Sequence, residues 1–276
     1  YDQNSWQALA GADADGRRFL ADRLIEFDGG AMQGETRTAA LLSLSAGRIS
    51  TMEEAVLRNW VSELESLSGR STHWTESLAK EFLLVLPRYT AEPQFAMRLL
   101  ALALTSPTQS LLYPTLDTLE PLHDPLRFDL LLETMLAFPV PDVASILADD
   151  RHSVRRAAVR ALGKAGPAGI TPLITALDDI HPLVVRQAIR GLGEIGDPSA
   201  RGAIMPFAAK GLTLELRRES FWAMGQMGDP AALETLQAAC LETDPGIRVA
   251  AVSAIATIPG PEASTLLGEL FPAYAG

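Results

Sequence analysis

The sequence predicts an all-α protein, a right-handed α-solenoid built from two-helix repeats. Four copies of a ten-residue pattern occur in the second half of the chain, at intervals of 30 to 32 residues. Within each copy, apolar or small residues recur every four positions, which is the spacing of a helix and not of a strand. A turn with glycine or proline follows every copy. Repeats of this length with two helices each are typical of α-solenoids, in which every repeat buries its apolar face on its neighbours.

The ten-residue copies mark the first helix of each repeat. In the first copy, Val154, Ala158 and Leu162 are four residues apart and therefore lie on one face of a helix. The tenth residue of every copy is small, and we expect it to let a neighbouring helix approach closely. The copies are residues 154–163, 184–193, 216–225 and 247–256, and their tenth residues are Gly163, Gly193, Gly225 and Ala256.

A turn and a second helix follow each copy. Turns such as Gly196-Asp-Pro198 stop one helix and start another. Pairs such as Leu173 and Leu177 give the second helix an apolar side. A fifth, degraded copy precedes the other four and begins at Asp124. The predicted second helices are residues 170–177, 199–209, 231–241 and 262–271.

The front of the chain is predicted to be helical but divergent, as the end units of a solenoid usually are. A capping box at Ser50-Thr-Met-Glu53 precedes an amphipathic run over residues 53–67. We divide the chain into a divergent helical N-terminal part, residues 1–120, and about five repeats, one of them degraded, in residues 121–276, with the two parts continuous. Further helices are predicted at 4–28, 35–46, 72–86, 94–105 and 109–120.

Composition and charge exclude several classes of protein. The net charge is −11, with most of the acidic excess in residues 1–148, so a nucleic-acid partner is not expected. The single cysteine, Cys240, can form neither an internal disulfide nor a cysteine-based zinc site. No apolar run approaches the ~20 residues that span a bilayer, and the first residues do not have the pattern of a signal peptide. We therefore expect a cytoplasmic protein with no membrane span.

Catalytic motifs are absent from the sequence. It has no dinucleotide fingerprint, no phosphate-binding loop and no His-Glu-x-x-His element. His152 and His181 fall in similar inter-repeat turns and could approach each other, but two histidines without a third ligand do not predict a metal site. We predict no bound metal, and the sequence assigns no catalytic residue.

One set of arginines occupies the slot directly after the first apolar residue of the repeats. The slot lies at the edge of the buried face, and acidic residues stand just upstream of it. Because guanidinium groups match carboxylates bidentately, we interpret this set as a ladder of arginine–carboxylate pairs that joins adjacent repeats. Val185 interrupts the ladder in the second copy. The arginines are Arg127, Arg155, Arg217 and Arg248, and the upstream acids are Asp149, Asp150, Glu215 and Asp244.

A second set of arginines is predicted to face outward from the first helices, because positions four residues apart share a helix face. Stacking of the repeats would bring these side chains into a column. The column is either an ordinary solvated face or a basic stripe for an acidic partner or a carboxylate-bearing ligand. The set comprises Arg156, Arg160, Arg186, Arg190 and Arg218.

Trp222 departs from this pattern, because it occupies the slot that Arg160 and Arg190 hold in the earlier copies. An exposed tryptophan beside Arg218 has the composition of an interface hot spot or of a stacking platform for a conjugated ligand. The alternative is that Trp222 tucks under a neighbouring repeat. We expect Phe221, Trp60 and Trp74 to be core residues and Cys240 to be a buried thiol.

The repeat cores Asp150-Arg-His-Ser-Val-Arg155 through Gly163, and Asp244-Pro-Gly-Ile-Arg248, resemble HEAT-like repeats. More narrowly, they resemble the short repeats of the phycobilisome (phycobilin) lyase E/F-type family, whose subunits help attach open-chain bilins to cysteines of cyanobacterial phycobiliproteins. The resemblance runs from Asp124 to the end. The Asn-His-Cys-Trp element of isomerising lyases is missing, and its nearest fragment, His73-Trp74, lacks the cysteine.

The resemblance implies a scaffold that holds a phycobiliprotein subunit, a bilin or both during chromophore attachment, as a bilin lyase or lyase-chaperone subunit, with a second lyase subunit as a further partner. The bilin would be a transient ligand and not a permanent cofactor, with its propionates on arginines of the second set and its rings against Trp222. Two alternatives remain. A non-enzymatic HEAT-repeat adaptor unrelated to bilins fits the lack of catalytic motifs, whereas a nucleic-acid-binding HEAT-like protein is disfavoured by the net charge.

Overall fold

The computed structural model describes residues 54–67, 76–209 and 212–274, together with Ile49 and Met52. Within these ranges every regular element is a helix, so the all-α prediction is confirmed. Several predictions lie outside the described residues. They are the helices at 4–28 and 35–46, most of the capping box at Ser50-Thr-Met-Glu53, and the His73-Trp74 fragment with its core assignment for Trp74.

The described helices fall into two compact units that divide between Phe138 and Pro139. The first unit contains Glu54–Leu67 (α1), Glu76–Val85 (α2), Pro93–Ala103 (α3), Gln109–Leu119 (α4) and Leu126–Ala137 (α5). The second contains Val140–Ser145 (α6), His152–Lys164 (α7), Ile170–Thr175 (α8), Pro182–Ile195 (α9), Arg201–Ile204 (α10), Leu214–Met227 (α11), Leu233–Cys240 (α12), Pro245–Thr257 (α13) and Pro261–Tyr274 (α14). The predicted continuity of the two parts of the chain stays a prediction.

The first unit is built on amphipathic helices that bury one face each. In α1 the buried side chains are Leu57, Trp60, Val61 and Leu64, at helical spacing, and the core assignment of Trp60 is confirmed. Helix α3 packs against α1, α2 and α5, and α4 packs against α2 and α5.

The second unit is a stack of two-helix repeats. The first helices α7, α9, α11 and α13 pack side by side, each against the next, and the second helices α8 and α12 pack against the first helices next to them. Val154, Ala158 and Leu162 are buried on the packed face of α7, as the four-residue spacing predicts. The predicted α-solenoid of two-helix repeats is confirmed.

Small residues set how closely the first helices approach. A Cβ atom added at Gly193 would lie 2.8 Å from the Cα of Ala223, and one at Gly225 would lie 2.9 Å from the Cα of Ala254. Such distances are shorter than any ordinary packing contact, so only glycine fits between these helices. Ala256 is exposed, because no further first helix follows α13 in the described chain.

Three of the four second helices are shorter than predicted, whereas the last, α14, is longer than the predicted 262–271. The predicted helix 199–209 consists of a 3-10 turn, the four residues of α10 and a further 3-10 segment, Met205–Ala208. Pro206 explains the break, because it has no N–H to donate to the carbonyl four residues earlier. The turn before it forms as the sequence predicts. Gly196 adopts a φ of 72° at the end of α9, and the Asp197 carboxylate accepts a hydrogen bond from the backbone N–H of Ser199.

No helix in the described ranges combines the length and the apolar character that crossing a bilayer requires.

Candidate functional site

The candidate site lies on the outward side of α7, α9 and α11, which we call the first-helix face. Its exposed members are Arg186, Arg190 and Arg218, whereas Arg156 and Arg160 are half-buried. Successive helices of the stack present these side chains next to one another, because α7, α9 and α11 are neighbours. The face is defined by Arg156, Arg160, Arg186, Arg190, Arg218 and Trp222.

Two glutamates that the sequence interpretation missed neutralise part of this face. Glu194 Oε1 accepts hydrogen bonds from Arg160 Nη1 at 2.9 Å and from Arg190 Nε at 3.2 Å. Glu219 Oε1 accepts another from Arg190 Nη1 at 3.2 Å. The chain Arg160–Glu194–Arg190–Glu219 thus crosses three helices with alternating charge. A continuous basic stripe over all five arginines is therefore wrong.

Trp222 is neither fully exposed nor fully tucked under a neighbouring repeat, which were the two alternatives that the sequence left open. It is half-buried, and its ring edge packs where Gly193 on the preceding first helix has no side chain. The guanidinium carbon of Arg190 lies 5.0 Å from the ring centroid, within the range of a cation–π contact. The small residue at position 193 was the sequence signal for this arrangement, since it leaves room for an aromatic ring.

Arg186 and Arg218 are the open cationic groups of the face. Both are exposed, and neither has a carboxylate partner among the residues that the structure describes. Trp222 follows Arg218 by four residues, one turn along the same side of α11. The face can therefore offer two guanidinium groups and part of an indole ring to an anionic, planar ligand.

The first set of arginines joins adjacent repeats, as predicted. Arg155 donates from Nε and Nη2 to the carboxylate of Asp179 at 2.6 and 2.9 Å. Arg217 donates from Nη1 and Nη2 to the carboxylate of Glu242 at 3.0 and 2.7 Å. These arginines are only 6% and 5% exposed, respectively. Each pair connects a first helix to the turn that begins the next repeat.

The predicted acidic partners of Arg155 and Arg217 are wrong. The acids upstream of Arg155 contribute backbone carbonyls and not carboxylates, since Nη1 bonds the carbonyl oxygens of Asp149 and Asp150 at 2.8 and 3.0 Å. Arg217 Nε bonds the carbonyl of Ala208 in the same way, at 3.0 Å. A guanidinium group has donors on two sides, so it bonds its own turn with one side and the next turn with the other.

The two ends of the arginine set behave differently. Arg248 bonds only the carbonyls of Glu242 and Thr243, because no later inter-repeat turn follows it in the described chain. Arg127 does pair with an upstream acid, Asp124, at 3.1 Å. In the middle, Val185 replaces the arginine. Ala209 stands at the position that corresponds to Asp179. Both residues have an extended backbone and directly follow a 3-10 segment, but alanine has no carboxylate to pair with.

Hydrogen bonds to arginine lower the pKa of two carboxyl groups in these turns. Burial alone would raise the pKa of Asp179, but hydrogen bonds from the Arg155 side chain and the His181 backbone N–H outweigh it and hold the pKa below its ordinary value. The side chain of Arg151 lowers the pKa of Asp149 in the same way. Both carboxylates are therefore stabilised in the folded chain.

We expect acid to weaken the fold at Asp179. A carboxyl group with a lowered folded pKa stabilises the protein above its unfolded pKa, near ~4, and this contribution is lost as the pH falls through the folded pKa. Asp179→Asn should therefore be less stable than the wild type at pH 7 and should lose less stability below about pH 4. Urea unfolding at pH 7 and pH 3 measures both. Equal pH dependence in the two proteins would contradict the assignment.

His152 and His181 meet, as the similar turns predicted. Their rings stack with centroids 4.0 Å apart and planes 6° apart, and His181 Nδ1 accepts a hydrogen bond from the backbone N–H of Leu183 at 3.3 Å. In parallel stacked rings the nitrogens point sideways and do not converge on one point. The described residues contain no cluster of three or more histidine, cysteine, aspartate or glutamate side chains that could hold a metal ion.

The core assignments near the site are confirmed. Phe221 is 1% exposed and Cys240 is 2% exposed. A cleft of about 340 Å³ opens beside them between the second helices, and its walls include Arg217, Phe221, Glu234 and Glu242. Trp222 does not line this cleft.

The family of the second unit follows from a comparison with known families. A family model described as HEAT repeats matches residues 140–211 and 209–273. The match covers slightly less than half of the chain, and it agrees with the two-helix repeats of the second unit, which are HEAT-like. The first-helix face and the turns described above are therefore parts of a stack of HEAT-like repeats.

A curated relative matches part of the chain. The protein is named "Uncharacterized phycocyanin operon protein Z" and comes from Pseudanabaena tenuis (strain PCC 7409). It is 29% identical over 121 residues, which cover 41% of this chain and 60% of that protein. The match thus spans less than two thirds of the relative's own length.

Solved structures with a similar arrangement of helices include human deoxyhypusine hydroxylase and the Escherichia coli protein YibA. The hydroxylase is 17% identical with a TM-score of 0.40, over 92% of this chain and 96% of that chain. YibA is 14% identical with a TM-score of 0.45, over 94% of this chain and 92% of that chain. At these TM-scores the two structures carry no information about the function of the HEAT repeats.

Proposed function

We propose that this HEAT-repeat protein is a scaffold that holds a phycobiliprotein subunit, its bilin or both during chromophore attachment, as a bilin lyase or as a chaperone subunit of one. HEAT repeats support the scaffold role, because stacked helices offer long surfaces to a folded partner. The similarity to a protein named for the phycocyanin operon supports the phycobiliprotein partner.

The observation that carries the proposal is the pair of open guanidinium groups beside a half-buried indole. Arg186 and Arg218 suit carboxylates, because a guanidinium binds a carboxylate bidentately. A bilin is a conjugated chain of pyrrole rings with propionate side chains. Its propionates would bind the two arginines while its rings stack on the accessible part of Trp222. Because the site is open, the pigment would stay accessible to the partner that receives it.

We expect the double variant Arg186→Gln with Arg218→Gln to lower the yield of covalently pigmented subunit at least about tenfold, since the loss of even one charge-assisted contact costs on the order of 1.5–3 kcal/mol. The measurement is visible absorption of a phycobiliprotein apo-subunit coexpressed with a bilin pathway and this chain. Arg88→Gln with Lys164→Gln removes the same charge from two other exposed residues without carboxylate partners in the described chain, and it should leave the yield unchanged. Equal yields in the two double variants would contradict the role of this face.

A second lyase subunit is part of the proposal, because the resemblance to E/F-type lyase subunits implies one. The same coexpression tests it, with and without a candidate second subunit. Pigment that forms only when both chains are present would support a heterodimer, whereas full pigment yield with this chain alone would exclude the need for one.

A non-enzymatic HEAT-repeat adaptor is the second candidate. The internal neutralisation of Arg160 and Arg190 by Glu194 and Glu219 favours it, because those arginines are less available to a ligand. An adaptor would copurify with the apo-subunit or another protein and would remain colourless when a bilin pathway is coexpressed. Pigmented complexes would exclude it.

A further inference from the structure

A row of exposed apolar side chains follows the turns that lead from one HEAT repeat to the next. Ile180 is 94% exposed and Leu241 is 73% exposed, and Leu212 and Leu214 are 42% and 45% exposed. All four lie where a second helix ends or the following first helix begins. We call this surface the turn edge and define it as residues 149–152, 178–183, 212–215 and 241–244.

The turns are neighbours in space and not only in the sequence pattern. The rings of His152 and His181 stack across the first two turns. The ion pair between Arg155 and Asp179 joins the same two turns, since Arg155 also bonds the Asp149 carbonyl. Side-by-side packing of α9, α11 and α13 continues the row through the later turns. The exposed side chains therefore lie along one edge of the stack.

Folding gives no reason for apolar residues at these positions. Burial of apolar surface stabilises a fold in proportion to the area removed from water, and Ile180 and Leu241 remain mostly in water. Single exposed apolar residues are common, but an exposed apolar residue at each of three successive turns forms a row that one partner can cover. The turn edge consists of other residues than the first-helix face, and the two surfaces meet on α11, where Arg218 follows Glu215 by three residues.

The charged residues beside the exposed apolar side chains indicate which kind of partner fits the turn edge. Asp150, Asp178 and Glu215 are exposed, and their carboxylates have no hydrogen-bond or ion-pair partner in the part of the chain that the structure describes. Arg155 and Arg217 pair with Asp179 and Glu242, so these two arginines do not neutralise the three exposed carboxylates. The edge thus combines exposed apolar side chains with three exposed carboxylates. A basic segment fits it, and an anionic lipid surface does not.

The spacing of the row fits a helix. Packed neighbouring helices lie about 8–10 Å apart, so successive turns of the stack repeat at about that distance. A helix rises about 1.5 Å per residue, which places residues seven apart on the same face at a separation of about 10.5 Å. A partner helix laid along the edge can therefore set one apolar residue against each of the three turns that carry an exposed apolar side chain.

We propose that the turn edge binds an amphipathic helix of a partner protein that has an apolar residue at every seventh position and lysine or arginine beside it. Ile180, Leu212 and Leu241 are the apolar contacts. Asp150, Asp178 and Glu215 receive the basic side chains.

Binding of a labelled helical peptide, measured by fluorescence anisotropy with the full chain, tests the proposal. The probe carries leucine at every seventh position and lysine beside each leucine. One control peptide replaces lysine by glutamate, and another spaces the leucines five residues apart. We expect the first peptide to bind at least about tenfold more tightly than either control. Equal affinity for the three peptides, or no binding of the first, would overturn the proposal.

Variants of the chain locate the site. Ile180→Ser with Leu241→Ser should weaken binding of the lysine peptide about tenfold and leave the melting temperature unchanged, because both side chains are exposed. The matched control is Val249→Ser with Leu84→Ser, which are 64% and 63% exposed and lie outside the edge. A similar loss of affinity in the control, or no loss in the edge variant, would show that the peptide does not bind at the turn edge.

Discussion

Replacement of Arg217 by alanine is expected to lower the free energy of unfolding by about 3 kcal/mol. The side chain is 5% exposed and satisfies two groups at once, the carbonyl of Ala208 and the carboxylate of Glu242. Loss of one partner of a buried pair leaves the other charge without compensation, which typically costs about 3–5 kcal/mol. We take the lower end, because Glu242 keeps 13% of its side chain in solvent.

Arg218→Ala is the matched control for this prediction. Arg218 is the next residue on α11, it is exposed, and it has no carboxylate partner in the described chain, so its loss should change stability by less than about 0.5 kcal/mol. Urea unfolding followed by circular dichroism measures both variants. An Arg217→Ala variant as stable as Arg218→Ala would show that the pair with Glu242 does not hold the third and fourth repeats together.

Replacement of Gly193 by alanine is expected to lower the free energy of unfolding by about 2 kcal/mol. The added methyl group would lie 2.7 Å from Trp222 Cζ3 and 2.8 Å from the Cα of Ala223, so α9 and α11 would have to separate. Overpacking of this kind typically costs about 1–3 kcal/mol. It exceeds the ~1 kcal/mol that alanine contributes over glycine within a helix.

Gly268→Ala makes the same chemical change where there is room for it. No heavy atom lies within 4 Å of a Cβ atom built at Gly268 on α14, so the variant should be more stable by about 0.5–1 kcal/mol. Thermal unfolding of the two variants provides the comparison. If Gly193→Ala were also stabilising, the close approach of α9 and α11 would not be a requirement of the fold. A difference in tryptophan fluorescence between the two variants adds a second readout, since a displaced Trp222 ring changes its contact with Arg190.

Much of the fold could be predicted because its signals are local and repeated. The four-residue apolar spacing of α7 is a property of one helix, and Val154, Ala158 and Leu162 are buried as predicted. The recurrence of that pattern at intervals of 30 to 32 residues indicates stacked units, since a single amphipathic helix cannot bury its apolar face alone. The weakest predictions were the second helices, where Pro206 divides one of them into short pieces.

The candidate site could be predicted only in part. Their positions in the repeat placed the arginines and Trp222 on the first helices, but these positions did not show which carboxylate or ring each arginine contacts. Glu194 lies one turn after Arg190 on the same helix and also reaches Arg160 on the helix before it. That second contact depends on how α7 and α9 pack, and no spacing along the chain encodes it.

The sequence by itself determined the class of the fold, the phase of the repeats and the residues that each first helix buries, because periodicity and turn residues act over a few positions. The tertiary structure decided which charges neutralise one another and which apolar residues stay exposed. Asp179 lies 24 residues after Arg155, and Glu242 lies 25 after Arg217. Such pairs form because the stack brings the edges of successive repeats within reach of one guanidinium group, and the length of each turn sets that distance.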